Sequence, residues 1–173
     1  GMIAHQMGNT AYRGQIVWVL MTARPDLLPI DLKRQGRAEV HIPLFYPETV
    51  AEYDEIFQVM KKNLKLASKA ESLADVAGET ALKGYSGSDL EAVLVRSILE
   101  AEAADSSEVT AEHLKRAFAD FIPTTNNLER ELQILAAILE CTSRELLPER
   151  FRDIDRAAVQ IRLSEIKAEL KSI

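Results

Sequence analysis

The spacing of apolar residues changes character once along this chain, at Pro47. Before Pro47 they come in continuous or alternating runs; after it nearly all recur at intervals of three and four. The first pattern buries a strand and the second buries one stripe of a helix, so the chain divides into a small α/β part and a longer helical part. Gln15-Ile16-Val17-Trp18-Val19-Leu20-Met21 is apolar and rich in β-branched residues, which predicts a strand covered on both faces. Pro25 marks a turn, and residues 27–34 predict a short helix that stops at Gln35-Gly36, glycine being favoured just past a helix end. Ala38 to Leu44 alternates and is closed by Pro43 and Pro47, which predicts a second strand over 39–44.

Beyond Pro47 the stripe Val50, Tyr53, Ile56, Phe57, Met60, Leu64 predicts a helix over 48–66, and a shorter helix follows over 70–82. Gly84-Tyr85-Ser86-Gly87-Ser88-Asp89 is a break and a cap, after which Leu90, Val93, Leu94, Ser97, Ile98 and Ala101 mark the inner face of a helix reaching about residue 104. Thr110 caps the next, with Leu114, Ala117, Phe118 and Phe121 inward and Pro123 closing it. A turn at Thr124-Thr125-Asn126-Asn127 precedes two last helices, striped by Leu128, Leu132, Leu135, Leu139 and by Val159, Leu163, Ile166, Leu170. Their four-three-four spacing suits either a helical hairpin seam or ordinary packing against a neighbouring bundle.

A chain of 173 residues, 47% hydrophobic and 28% charged, is long enough to bury a core. Its net charge of −6 contains no block of like charge, which argues against a nucleic-acid or anionic-membrane surface as its main business. Residues 1–45 carry five basic and three acidic side chains, leaving 16 and 24 for the remainder, so the two parts differ in sign. No stretch has the roughly 18 apolar residues of a membrane span, and the N-terminus lacks the pattern of a signal peptide, so the expected compartment is cytoplasmic. Gly1 before Met2 reads as the residue left by cleavage of an affinity tag. The single cysteine, Cys141, lies in an apolar helical pattern without a His or Cys at ligand spacing and reads as a core residue.

The sequence contains no recognisable set of catalytic groups. None of its seven glycines is followed by Lys, so there is no Gly-x-x-x-x-Gly-Lys-Ser/Thr loop to cradle a phosphate. Nor is there an apolar strand ending in paired acids, a His-Glu-x-x-His, a paired Cys motif or a Gly-x-Ser-x-Gly elbow. His5, His41 and His113 are scattered and read as surface or structural histidines.

Three segments nonetheless stand in a suggestive order: Thr22-Ala23-Arg24-Pro25-Asp26, Leu32-Lys33-Arg34-Gln35-Gly36-Arg37-Ala38-Glu39-Val40, and Gly84-Tyr85-Ser86-Gly87-Ser88-Asp89-Leu90. Over residues 15–123 the chain resembles the second half of an AAA+ family ATPase module, which carries a strand ending in Thr-Asn-Arg-Pro-Asp, a Leu-Arg-Arg-Pro-Gly-Arg-Phe-Asp-Arg segment and a helical lid with Gly-Tyr-Ser-Gly-Ala-Asp-Leu. The resemblance implies a mainly α fold: a four-helix AAA+ lid bundle with two extra C-terminal helices, preceded by a small α/β remnant of the ATPase core comprising two strands and a short helix. It implies residues 1–46 as that remnant, 47–123 as the lid and 124–173 as a helical extension.

By the same resemblance Arg37 matches the first arginine finger, offered to a neighbouring subunit's γ-phosphate; read without it, Arg37 is a helix C-terminal arginine on a solvated face. Gly84, Gly87 and Ser88 fall where the lid approaches the nucleotide, while the same residues also read simply as a helix cap. Ala23 stands in place of the sensor-1 Asn, whose hydrogen bond a methyl group cannot make, and Val40 replaces the second finger. ATP and magnesium are implied for the intact module, with no tight binding expected of this chain alone and no metal ligand among its own residues.

Without the strand that precedes the P-loop, both expected strands would leave apolar edges unpaired. The expected partners are therefore other AAA+ subunits, a second copy of the chain, or the missing P-loop half, with no membrane partner. Two readings of function stay open: the C-terminal part of an ATPase that remodels a macromolecule, contributing finger and lid but inactive alone, and a nucleotide-independent lid-fold interaction or oligomerisation module. An unrelated enzyme has no residue constellation in its favour, and the macromolecule remodelled is not written in the sequence.

Overall fold

The computed structural model describes residues 2–78, 82–123 and 127–172. It is mainly helical, and the chain divides into two compact units, Tyr46–Thr125 and Gly1–Phe45 together with Asn126–Ile173.

The unit formed by Tyr46–Thr125 is built on α3 (Val50–Asn63), α4 (Ala74–Ala77), α5 (Gly87–Ala103) and α6 (Ala111–Asp120). Each long helix begins where a side chain satisfies the otherwise orphaned first amides. Thr49 and Glu52 close a reciprocal capping box on α3, Ser86 and Asp89 one on α5, and Thr110 and His113 one on α6. The apolar stripes then meet in one core of Tyr53, Phe57, Leu73, Leu90, Val93, Leu94, Leu114 and Phe118, with Tyr85 stacked obliquely on Phe118 and Phe121. Burial of these side chains removes the largest apolar area of the unit from water and supplies most of its stability. Asp54 on α3 accepts the Leu73 amide at 2.9 Å, which fixes the approach to α4. Of the helix expected over 70–82, Ala74–Ala77 and Leu82 are helical within the described part, Gly78 is not, and 79–81 lie outside the described residues.

The second unit contains α1 (Met2–Met7), α2 (Ile30–Lys33), α7 (Asn127–Glu140), α8 (Glu149–Arg152) and α9 (Arg156–Glu169), with tight turns at Thr10–Tyr12, Pro25–Leu27 and Arg144–Leu146. The two C-terminal stripes face each other: Leu132, Leu163 and Ile166 are buried with Leu128, Leu135, Leu139 and Leu170 around them, a helical hairpin. Arg162 of α9 grips Glu131 of α7 through two bonds of 2.8 and 3.0 Å along one side of that seam. Ile138, Leu147 and Val159 continue the core, joined by Phe45 stacked on Phe151. Cys141 lies one residue beyond α7, buried, with its thiol donating to Ser143 O at 3.1 Å. The turn expected at 124–127 falls, apart from Asn127, outside the described residues.

The two strands expected over 15–21 and 39–44 are absent: no residue among those described is in a strand. Both segments keep the period of a strand without its ladder. Ile16, Trp18 and Leu20 are 44, 41 and 40% exposed, whereas Val17, Val19 and Met21 are 88, 75 and 92% exposed. In the other segment Val40, Ile42 and Leu44 are exposed while His41 and Pro43 between them are partly covered. No backbone group of residues 17–21 hydrogen-bonds to another described residue. The reason is physical: a strand exists only when a second backbone meets its donors and acceptors, and the remainder of the chain is committed to helices that satisfy their own. The short helix expected over 27–34 is also smaller, a single turn at Ile30–Lys33 behind the Pro25–Leu27 turn, and it ends before Gly36, whose φ of +80° suits glycine.

Candidate functional site

Arg37 and the glycine segment lie in different units. Gly36 turns the chain out of α2, donating its amide to Glu39 Oε2 at 2.7 Å, and this tight turn projects Arg37 beside it. Arg37 is partly covered as a residue, and its guanidinium, at the surface, donates to Asp31 O at 2.6 Å. It also passes so close to Gly8 that a Cβ there would stand 3.1 Å from Nη2. Arg37 is thus held by one backbone carbonyl and a glycine contact, leaving a multidentate cation with donors to spare. Ala23 is exposed, and Val40, also exposed, offers no second cation.

Upstream, Thr22-Ala23-Arg24-Pro25-Asp26 folds into a compact ionic turn. Thr22 Oγ1 accepts the Arg24 amide at 3.0 Å, and the Arg24 fork meets both oxygens of Asp26 at 3.0 and 3.1 Å. Lys167 of α9 adds a third bond at 2.8 Å, closing over an Asp26 side chain that is only 6% exposed. The Arg24 hydrogen bonds, opposed by burial and assisted by Lys167, pull the Asp26 carboxyl down to about 2. This carboxylate therefore holds the turn in place and stays ionised at all ordinary pH.

In the other unit Gly84 takes a φ of +94°, a conformation open to glycine, and turns the chain so that Tyr85 enters the core. Burial, with a smaller contribution from Asp89, pushes the Tyr85 phenol above its ordinary value. Ser86 is the cap: its hydroxyl accepts the Asp89 amide at 3.1 Å, and the Asp89 carboxylate accepts both the Ser86 amide at 2.8 Å and the Ser86 hydroxyl at 2.6 Å. Gly87 opens α5, and a Cβ there would make only ordinary contact, 3.8 Å from the Met60 methyl. Ser88 is exposed, and its hydroxyl makes no hydrogen bond to a described residue. The start of α5 already carries a carboxylate at its electropositive end, so in this arrangement Asp89 occupies the ground an incoming phosphate would want.

Among the described residues, the Arg37 guanidinium stands in one unit and the Ser86–Asp89 helix start, closed by its own acid, in the other. No cluster of three or more His, Cys, Asp or Glu suited to a metal ion occurs among the described residues. No described helix is long and apolar enough to cross a membrane.

Three polar anchors were not visible in the sequence: Asp26 with Lys167, Lys33 with Glu140 at 2.6 Å, and His41, whose ring bridges Ala38 O and Glu140 O. Each joins the N-terminal 45 residues to the C-terminal hairpin across about a hundred residues or more, so no local spacing signals it.

No protein-family model matches the chain. Among curated proteins it is 40% identical over 93 residues to the ATP-dependent zinc metalloprotease FtsH of Mycoplasma pneumoniae, a match covering 54% of this chain and 12% of that protein. It is 30% identical over 124 residues to the cell division cycle protein 48 homolog of Archaeoglobus fulgidus, covering 63% and 16% respectively. The Protein SAV of Sulfolobus acidocaldarius is 29% identical over 150 residues, covering 78% and 19%. The chain therefore spans less than a fifth of the length of these relatives. Over the matched stretch, the chain is related to the AAA+ ATPases of the FtsH and cell division cycle protein 48 kind.

Proposed function

We propose that the chain is the C-terminal portion of an AAA+ module that couples ATP binding and hydrolysis to remodelling of a macromolecule. In this reading Arg37 is the arginine finger offered to a neighbouring subunit, residues 47–123 are the helical lid, and Gly84, Gly87 and Ser88 line its approach to the nucleotide. ATP and magnesium belong to the intact module, and the chain alone is inactive for want of a phosphate loop and magnesium-binding acids. The expected partners are further AAA+ subunits and the P-loop half, in a homo-oligomer.

One observation carries the reading. Residues 17–21 carry side chains that alternate in exposure and backbone groups that bond to no other described residue, as expected of a sheet strand whose neighbour is supplied from elsewhere. The relatives add that the family is ATP-dependent, as the FtsH name states. Read the coding DNA upstream of the Met2 codon, express the joined polypeptide, and measure ATP hydrolysis with and without Arg37→Ala. An arginine finger contributes on the order of a thousandfold or more to phosphoryl transfer, so the substitution should reduce turnover by about that factor. An upstream sequence with no P-loop, or an ATPase indifferent to Arg37→Ala, would refute the assignment.

The second reading, a nucleotide-independent interaction module, is favoured by Ala23 at the water-positioning place and by Val40 in place of the second finger. The same upstream sequence decides between them: without a P-loop, association in the absence of nucleotide becomes the expected activity.

A further inference from the structure

The C-terminal end of α7 is capped by two side chains from different parts of the same unit. Arg156 donates to Ile138 O at 3.2 Å and to Leu139 O at 2.6 Å, and His41 Nδ1 takes the next carbonyl, Glu140 O, at 2.7 Å. The other nitrogen of the His41 ring faces Ala38 O at 2.8 Å. Carbonyl oxygens accept and do not donate. A neutral imidazole has one N–H and one lone pair, so in that form one of these two short contacts sets lone pair against lone pair. Only the imidazolium makes both bonds.

The surroundings can hold that charge. The last carbonyls of a helix form its electronegative end, where a protonated histidine is stabilised. The Glu140 carboxylate lies 3.9 Å from Nδ1. Two cations oppose the charge: Lys33 on α2, bonded to the other Glu140 oxygen at 2.6 Å, and Arg156 on α9 at the same helix end. On the histidine's own segment Arg37 is engaged with Asp31 O and Glu39 with the Gly36 amide. The remaining polar neighbours are the Cys141 thiol, which donates to Ser143 O, and the Thr142 hydroxyl, which accepts the His41 amide at 3.0 Å.

We infer that His41 is a proton-operated clasp: its imidazolium closes both ring bonds at once, Nδ1 to the end of α7 and Nε2 back to Ala38 O, and loss of the proton releases one of them. The inference stands apart from the nucleotide reading, because it needs only the chain itself. His113 supplies an internal contrast, since its Nδ1 accepts the Thr110 amide at 3.2 Å and so keeps a lone pair.

The test is nitrogen NMR of the histidine rings in the full chain, with amide exchange followed from about pH 5 to about pH 8, the range in which histidines change charge. Both ring nitrogens of His41 should carry protons at the acid end. As the ring loses one, the protection of the residue 41 amide, corrected for intrinsic exchange, should fall about tenfold, the effect of losing one hydrogen bond from a charged donor. Amides within α5 should show no such step, and His41→Gln should abolish it at residue 41. A single neutral tautomer throughout the range overturns the inference, as does an equal step in His41→Gln. The ring measurement on the unaltered chain decides the matter even if the variant fails to fold.

Discussion

Replacing Asp26 by Asn should weaken the unit that contains it, and should do so only where the carboxylate is ionised. The Asp26 carboxyl falls from 3.8 to about 2 under two cations, Arg24 and Lys167. At about 1.36 kcal/mol per pH unit this corresponds to roughly 2 kcal/mol of folding free energy. The side chains of Arg24 and Lys167 are 37 and 38% exposed, so solvent screening lowers that to about 1 kcal/mol. Because the folded value is depressed, the stabilisation is complete above about 4 and is lost as pH falls through about 2. Urea unfolding followed by the fluorescence of Trp18, the single tryptophan and a residue of the same unit, reads this directly. Asp26→Asn should cost about 1 kcal/mol at neutral pH, and the gap between the two proteins should close as pH drops from about 4 to about 2. A variant as stable as the parent at neutral pH, or a gap that persists unchanged at pH 2, would refute the argument.

Ser86→Ala should destabilise the unit containing α5 by about 1 kcal/mol, as loss of an N-cap does, whereas Ser88→Ala should change thermal stability by almost nothing; equal effects would mean that the cap is wrongly assigned. Leu94→Ala empties a fully buried site and should cost about 2 to 5 kcal/mol in urea unfolding followed by far-ultraviolet circular dichroism, and a loss below 1 would show that the core collapses around the gap. Val17→Lys combined with Val19→Lys should leave the stability of the chain within about 0.5 kcal/mol, because both side chains already face water. In a polypeptide joined to a P-loop half the same pair should abolish ATP hydrolysis, and retained activity would show that residues 16–21 pair with nothing.

The three long helices of the Tyr46–Thr125 unit were legible because everything that makes them is local. Thr49, Ser86 and Thr110 cap from within three residues, and the stripes of α3, α5 and α6 need only a core on one side, which they supply to each other. The anchors of the other unit were illegible for the opposite reason. Asp26 gains its meaning from Lys167, Lys33 from Glu140 and His41 from the end of α7, and nothing near those residues in sequence announces the partner. Arg37 and the Gly84 to Ser88 segment came from resemblance to a family, and the structure gives their local geometry: a guanidinium held by Asp31 O and a helix start closed by Asp89.

The run Ile16–Met21 is the instructive case, since its composition is that of a buried strand and its accessibility is that of a surface. Strand propensity measures how well a side chain fits a pleated, half-covered surface, and it carries no term for whether the second backbone is present. Here the even-numbered residues are half-covered and the odd-numbered ones stand in water, so the covering already exists on one side and is wanting on the other. An apolar row of this kind, with bare amides and carbonyls between, is what proteins that work alone cover, shorten or interrupt with charge. A second alternating row stands at Val40, Ile42 and Leu44, and under the proposed function both rows belong to a larger sheet. That argument makes the lysine pair at Val17 and Val19 the most discriminating change available: a substitution harmless to this chain and destructive to the joined protein locates the missing neighbour at these residues, and one harmless to both removes the reason to expect it.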